Sequence, residues 1–320
     1  MNQGKTISNI KTENTLSSTE TAVLCCLLYF DTFNYPLSFD EIYSFCTIKI
    51  ANESILEATL NDLLNKNLVH KKDLFYFISE DDKLVERRIK GNKFAHQVMP
   101  KALKYGRFIS KFPFVDAVCI SGSLSKNYFD ENADVDFFIV TKPERLWLCR
   151  SLLVGFKKVF LLNSRKYFCV NYFVSNDNLT IPDQNIFTAT EIASLIPVNN
   201  HIEYTRFIAQ NKWIYGLLPN FDFKIKTTAF PINENKIKKT IERILDKGLG
   251  DFADKQLFKL TLKIWQNKFK HFDKNDFDLN MRSRKNVSKH HPSGFQQKVL
   301  KNWQLSKEQF CNKHKLNFFE

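Results

Sequence analysis

A mixed α/β (α+β) chain built from several parts is what the sequence predicts, on three observations. The 320 residues are 43% hydrophobic, more apolar material than one small module buries, so two or three domains are expected. Apolar residues at helical spacing, some behind capping signatures, occupy both ends of the chain. Between them stand short apolar runs, "FVDAVCIS", "DFFIV" and "KYFCVNYFV", which read as buried strands of a small mixed sheet.

Residues 1–16 are polar, with Lys5 and Lys11 and no apolar centre, so a flexible tail is expected rather than a signal or transit peptide. Ser17 with Glu20, and Ser38 with Glu41, match the capping box that opens a helix. "ESILEATLNDLLNKN" puts Ile55, Leu56, Leu60, Leu63 and Leu64 on one helical face, and two β-like runs, "LVHK" and "LFYFIS", follow across Lys72-Asp73. Three helices and a hairpin over 17–79 resemble the winged helix-turn-helix fold of DNA-binding proteins. The third helix, however, carries Glu53, Glu57 and Asp62 against Lys66 alone, the wrong charge for a groove lined with phosphates. A protein-contact or scaffolding role is therefore expected for the module, ahead of duplex binding.

A charged helical connector, with "KLVERRIK", is expected over 80–112. The α/β core should cover 113–200, with "RLWLCRSLLVGFKKVFLL" as a helix between strands. From 201 to 320 the patterns are helical and basic, with "SRKNVSKHHPSG" expected as loose structure before a last helix from Gln296 to Lys313. Phe221 to Glu320 holds 22 Lys/Arg against 11 Asp/Glu, so this third supplies +11 of the net +13. Such an excess suits a polyanionic partner such as a nucleotide or RNA, although Lys, Asn, Ile and Phe are enriched throughout. No apolar run approaches the roughly 20 residues of a bilayer span, so no membrane crossing is expected. Seven cysteines, an odd number with no Cys-x-x-Cys pair, include Cys25, Cys26, Cys119, Cys149 and Cys169 inside apolar runs. They read as reduced core residues of a cytoplasmic protein.

Chemistry concentrates in "ISGSLSKNYFDENADVDFFIV". Side chains at i and i+2 of a strand share a face, so Asp134 and Asp136 are expected to point together while Val135 and Phe137 pack behind. Two carboxylates that close repel unless a cation joins them, and hard oxygen ligands suit magnesium or manganese. Gly122 and Ser123 follow the preceding strand, where a tight turn can offer backbone N–H groups and a hydroxyl to an anion. The opposing reading, a solvated edge strand beside an ordinary turn, fits poorly because "DFFIV" continues as an apolar run.

Gly-Ser, ten residues, then Asp-Val-Asp and an apolar run resembles the signature of the nucleotidyltransferase superfamily that includes DNA polymerase beta and the minimal nucleotidyltransferases. The resemblance implies phosphate binding by Gly122 and Ser123 and metal binding by Asp134 and Asp136. It also implies transfer of a nucleoside monophosphate from a magnesium (or manganese) nucleoside triphosphate to an acceptor hydroxyl, a small molecule, an RNA or a protein. It further implies a third carboxylate, but the matching strand carries Asn171 at the inward position, and an amide holds no charge and takes no proton. Asp177 and Asp183 read as loop residues beyond that strand. Lys126 is a further candidate for phosphate contact, with Arg145 and Arg150 behind it. The His290-His291 pair lacks partner ligands at useful spacing, and no Gly-x-x-x-x-Gly-Lys loop occurs. Two other functions stay open: a nucleotide-binding or regulatory protein without turnover, and a DNA-binding regulator.

Overall fold

Both capping boxes form as the sequence predicts, and they open the amino-terminal module. Ser17 Oγ accepts from Glu20 N at 3.1 Å and Ser38 Oγ from Glu41 N at 3.3 Å, with each glutamate bonding back to the serine N–H. In the computed structural model of the chain, residues 16–164, 166–223, 236–246 and 248–316 are described. The expected tail lies outside them apart from Leu16. The module comprises α1 (Ser18–Asp31), β1 (Leu37–Ser38), α2 (Phe39–Phe45), α3 (Glu53–Asn65), β2 (His70–Lys72) and β3 (Phe75–Phe77). Its strands form a small antiparallel sheet in the order β1-β3-β2, so Leu37–Ser38 adds a third strand to the expected hairpin. Leu56, Leu60 and Leu63 of α3 are buried, whereas Ile55, assigned to that face by periodicity, is exposed.

A 27-residue helix, α4 (Lys83–Ile109), runs from the module to the core. There follow β4 (Val115–Ser121), the single turn α5 (Gly122–Ser125), β5 (Asp136–Thr141), α6 (Leu146–Phe160), β6 (Cys169–Ser175), α7 (Ile186–Ala193) and β7 (Ile196–Pro197). The remainder is α8 (His201–Gln210), α9 (Ile214–Leu217), α10 (Lys236–Ile244), α11 (Leu249–Lys268), α12 (Lys274–Asn280), β8 (Ser283–Arg284), β9 (Val287–Lys289) and α13 (Phe295–His314).

The larger sheet has six strands in the order β7-β4-β5-β6-β9-β8. It is mixed: β5 and β6 are parallel, joined through α6, and the other pairs are antiparallel. Two findings differ from expectation. First, β5 begins at Asp136, so Asp134 stands just before the strand. The β4–β5 ladder ends at the pair Ser121 and Asp136, because β4 turns away at Gly122 and leaves Asp134 nothing to pair with on that side. Second, "SRKNVSKHHPSG" contributes the β8–β9 hairpin to the sheet edge, with Val287, Ser288 and Lys289 buried. Its two short strands are too polar to be recognised by hydropathy.

Alternation along β5 separates two cores. Phe138 and Val140 face a core shared with the module, α7, α8 and α13, while Phe137 and Ile139 face one built from α4, α6 and α11. The basic carboxy-terminal third is thus divided between both faces of the sheet. The last helix reaches back to the first: Trp303 Nε1 donates to Cys25 O at 3.0 Å, and its ring meets Tyr29 edge-on. Among the described residues no helix is long and apolar enough to cross a membrane. All seven cysteines are free.

Candidate functional site

Gly122 ends β4 in a left-handed conformation, φ +70°, which a residue without Cβ adopts at no steric cost. The chain then makes one helical turn, closed by Lys126 N and Tyr128 N, both donating to Ser123 O, at 3.0 and 3.1 Å. Beyond it the spacer is pinned to α4 by Phe129 N donating to Gly91 O at 3.1 Å. Gly91 has no room for a side chain, since a Cβ there would lie 2.2 Å from the Tyr128 ring. Register and turn together bring the halves of the motif into contact: a Cβ on Gly122 would lie 2.6 Å from Asp136 Oδ2.

Asp136 is held from the β6 side. Asn171 Nδ2 donates to its Oδ1 at 3.1 Å, and the Cys169 thiol also bonds to it. In the β5–β6 ladder Phe137 pairs with Val170 and Phe138 with Tyr172, so Asn171 is the extra residue of a bulge, a device that re-aims a side chain. Burial raises the Asp136 pKa to about 6, and the negative charges of Asp134 and Glu191 push in the same direction; the Cys169 and Asn171 hydrogen bonds oppose them only in part. The site therefore carries surplus negative charge.

A hard divalent cation fits that surplus, since magnesium commonly takes one or two carboxylates and completes its shell with water and phosphate oxygens. The available donors are Asp134, Asp136 and the Asn171 amide. Among the described residues no group of three or more His, Cys, Asp or Glu side chains is gathered as for a metal ion, so the set is no self-sufficient protein cage.

The remaining expected residues divide. Lys126 stands beside the turn, but its ammonium pairs with Glu191 at 2.8 Å and donates to Gly122 O at 3.1 Å. Arg145 is turned elsewhere, to Asp251 at 2.6 Å and to Leu245 O at 3.1 Å. Arg150 stacks over Trp265, 4.5 Å from the ring centroid. Asp183 binds Arg282 through both oxygens and Lys289 at 3.3 Å, and Asp177 is exposed. His291 is buried, which lowers its pKa to about 4, and His290 follows β9, its N–H donating to Asn171 O.

Sequence reasoning missed Glu191 and Cys169. Glu191 is the one charged residue of α7, and Cys169 lies two positions before Asn171 on β6. A lone acid in an apolar helix and an i, i+2 pair on a strand were the signals available. Comparison with protein-family models, curated proteins and solved structures finds no match to the chain.

Proposed function

We propose that the chain is a nucleotidyltransferase that moves a nucleoside monophosphate from a nucleoside triphosphate to an acceptor hydroxyl. The observation that carries this reading is the contact between Gly122 and Asp136, where a Cβ would meet the carboxylate at 2.6 Å. An anion-binding turn and an acidic pair lie side by side, as triphosphate and cation must.

In this reading the Gly122-Ser123 turn binds phosphate oxygens through backbone N–H groups and the Ser123 hydroxyl. Asp134 and Asp136 hold magnesium or manganese, and the Asn171 amide steadies Asp136. The metal, when bound, neutralises phosphate charge and eases deprotonation of the acceptor hydroxyl. The acceptor oxygen forms a bond to the α-phosphorus as the bond to pyrophosphate breaks. Lys126 reaches phosphate only by leaving Glu191, so its part is secondary. Acceptor chemistry, whether a small molecule, RNA or protein, is left to the parts around the core. Seven free cysteines are compatible with a reducing cytoplasmic setting.

One observation favours a second reading, a nucleotide-binding or regulatory module without turnover. Asn171 presents its NH₂ to Asp136 at 3.1 Å, at the position from which a third acid would accept the acceptor's proton. A winged-helix DNA-binding role gains least support: α3 is acidic, and its Lys66 is paired with Glu20. Incubation with α-labelled triphosphates and magnesium decides between the first two. Turnover with pyrophosphate release, lost in Asp134→Ala and Asp136→Ala, is expected for the transferase; saturable binding without release marks the second reading, and activity retained in both variants refutes the site.

A further inference from the structure

Between the amino-terminal module and the core lies a cavity of about 350 Å³, on a side of the Gly122–Lys126 turn that does not include Asp134 or Asp136. Ser125, Lys126 and Asn127 form one wall, and Ser44 and Phe45 of α2 another. Its apolar lining is preformed: Phe45 packs against Phe30 and Phe221 with ring centroids 5.0 and 5.5 Å apart, and Phe221 against Phe223 at 4.8 Å. A concave, mostly aromatic space of this size with a few polar groups has the character of a small-molecule site.

The charge of the lining decides what such a molecule carries. Asp40, Glu41 and Asp222 stand around the cavity against a single cation, Lys126, which Glu191 holds at 2.8 Å. The same wall already seats one cation: the Arg88 guanidinium lies 3.6 Å over the Tyr35 ring and 2.6 Å from Glu41. Triphosphates are repelled by this rim, so the cavity is separate from the nucleotide site argued above. We propose that it binds a small organic cation with a flat apolar body, an aryl-alkyl amine being the simplest form. The ring stacks among Phe45, Tyr204 and Phe221, and the ammonium faces Asp40 at the mouth.

Titration of the full chain, without nucleotide, with 2-phenylethylamine, 2-phenylethanol and phenylacetate tests this independently of any transferase activity. The amine binds about tenfold more tightly than the alcohol, and the acid more weakly still, as an attraction of near-surface charges requires. Asp40→Asn, an exposed change, reduces the amine's advantage about threefold without altering the melting temperature. Ser44→Trp fills the cavity and abolishes binding of all three. Equal affinity for amine and acid, no binding of any probe at millimolar concentration, an amine advantage unchanged in Asp40→Asn, or undiminished binding in a folded Ser44→Trp protein overturns the assignment.

Discussion

Asp136 and Gly122 carry the account at the scale of single residues. The Asp136 pKa of about 6 stands above the 3.8 of an ordinary aspartate because burial and two neighbouring carboxylates disfavour its charge. The folded state therefore holds this proton more tightly than the unfolded chain. Below about pH 4 both states are protonated there and nothing is lost; as pH rises through 6 the folded carboxylate ionises and stability falls. Asp136→Asn should thus stabilise the fold at pH 8 by about 1–3 kcal/mol, a shift of several degrees in thermal melting, with little effect at pH 4. An equal shift at both pH values would remove the electrostatic explanation. Magnesium added to the unaltered protein should raise the melting temperature at pH 8 and not at pH 4, since only the charged pair binds it. At Gly122 a methyl group meets both a disfavoured φ and the Asp136 oxygen, so Gly122→Ala should cost about 1–3 kcal/mol in urea unfolding and lose nucleotide affinity as well. Unchanged stability and affinity would show that the turn is not as tight as the register requires.

Among elements, the clearest device is the junction of α4 with the module. Arg88 of α4 is 3% exposed, pairs with Glu41 at 2.6 Å, donates to Pro36 O at 3.3 Å and covers Tyr35; Tyr35 Oη in turn donates to Lys126 O beside the candidate site. Removing the guanidinium leaves Glu41 without its counter-charge, so Arg88→Ala should destabilise by about 3–5 kcal/mol. Hydrogen exchange in α1 and α2 should speed up before exchange in β4 and β5 does; protection unchanged in the module would mean that the junction is not held this way. This scale also shows what was legible in the sequence and why. The capped helices were, because Ser-x-x-Glu and helical spacing are local signals, and so was β5, whose apolar run has one interpretation in a buried sheet. Where β5 begins was not, because that depends on where its partner β4 stops. Ile55 was misassigned because periodicity gives a face but not what covers it. The β8–β9 hairpin escaped notice because its burial comes entirely from the neighbouring β6, and Glu191 because only tertiary packing brings α7 to Asp136.

Across the whole molecule, the parts suggested by composition share their cores. Residues of the module, of β4 to β6 and of α13 belong to one buried cluster, and Trp303 joins the last helix to the first. Trp303→Ala should therefore lower the stability of the entire chain, by about 2–4 kcal/mol, in one transition seen alike by tryptophan fluorescence and circular dichroism; two separated transitions would favour independent domains. Part of the basic excess is likewise internal, as Arg282 and Lys289 serve Asp183 rather than the surface. Charge summed along the sequence therefore overstates what is available to an anionic partner. The central claim is that Asp134 and Asp136 exist to hold a divalent cation against triphosphate bound at the Gly122-Ser123 turn. Manganese binding in the presence of a nucleoside triphosphate, followed by electron paramagnetic resonance in the unaltered protein and in Asp134→Asn and Asp136→Asn, tests it most directly. The account predicts saturable nucleotide-dependent binding, weakened at least about tenfold by either substitution; manganese affinity that neither substitution changes would contradict it.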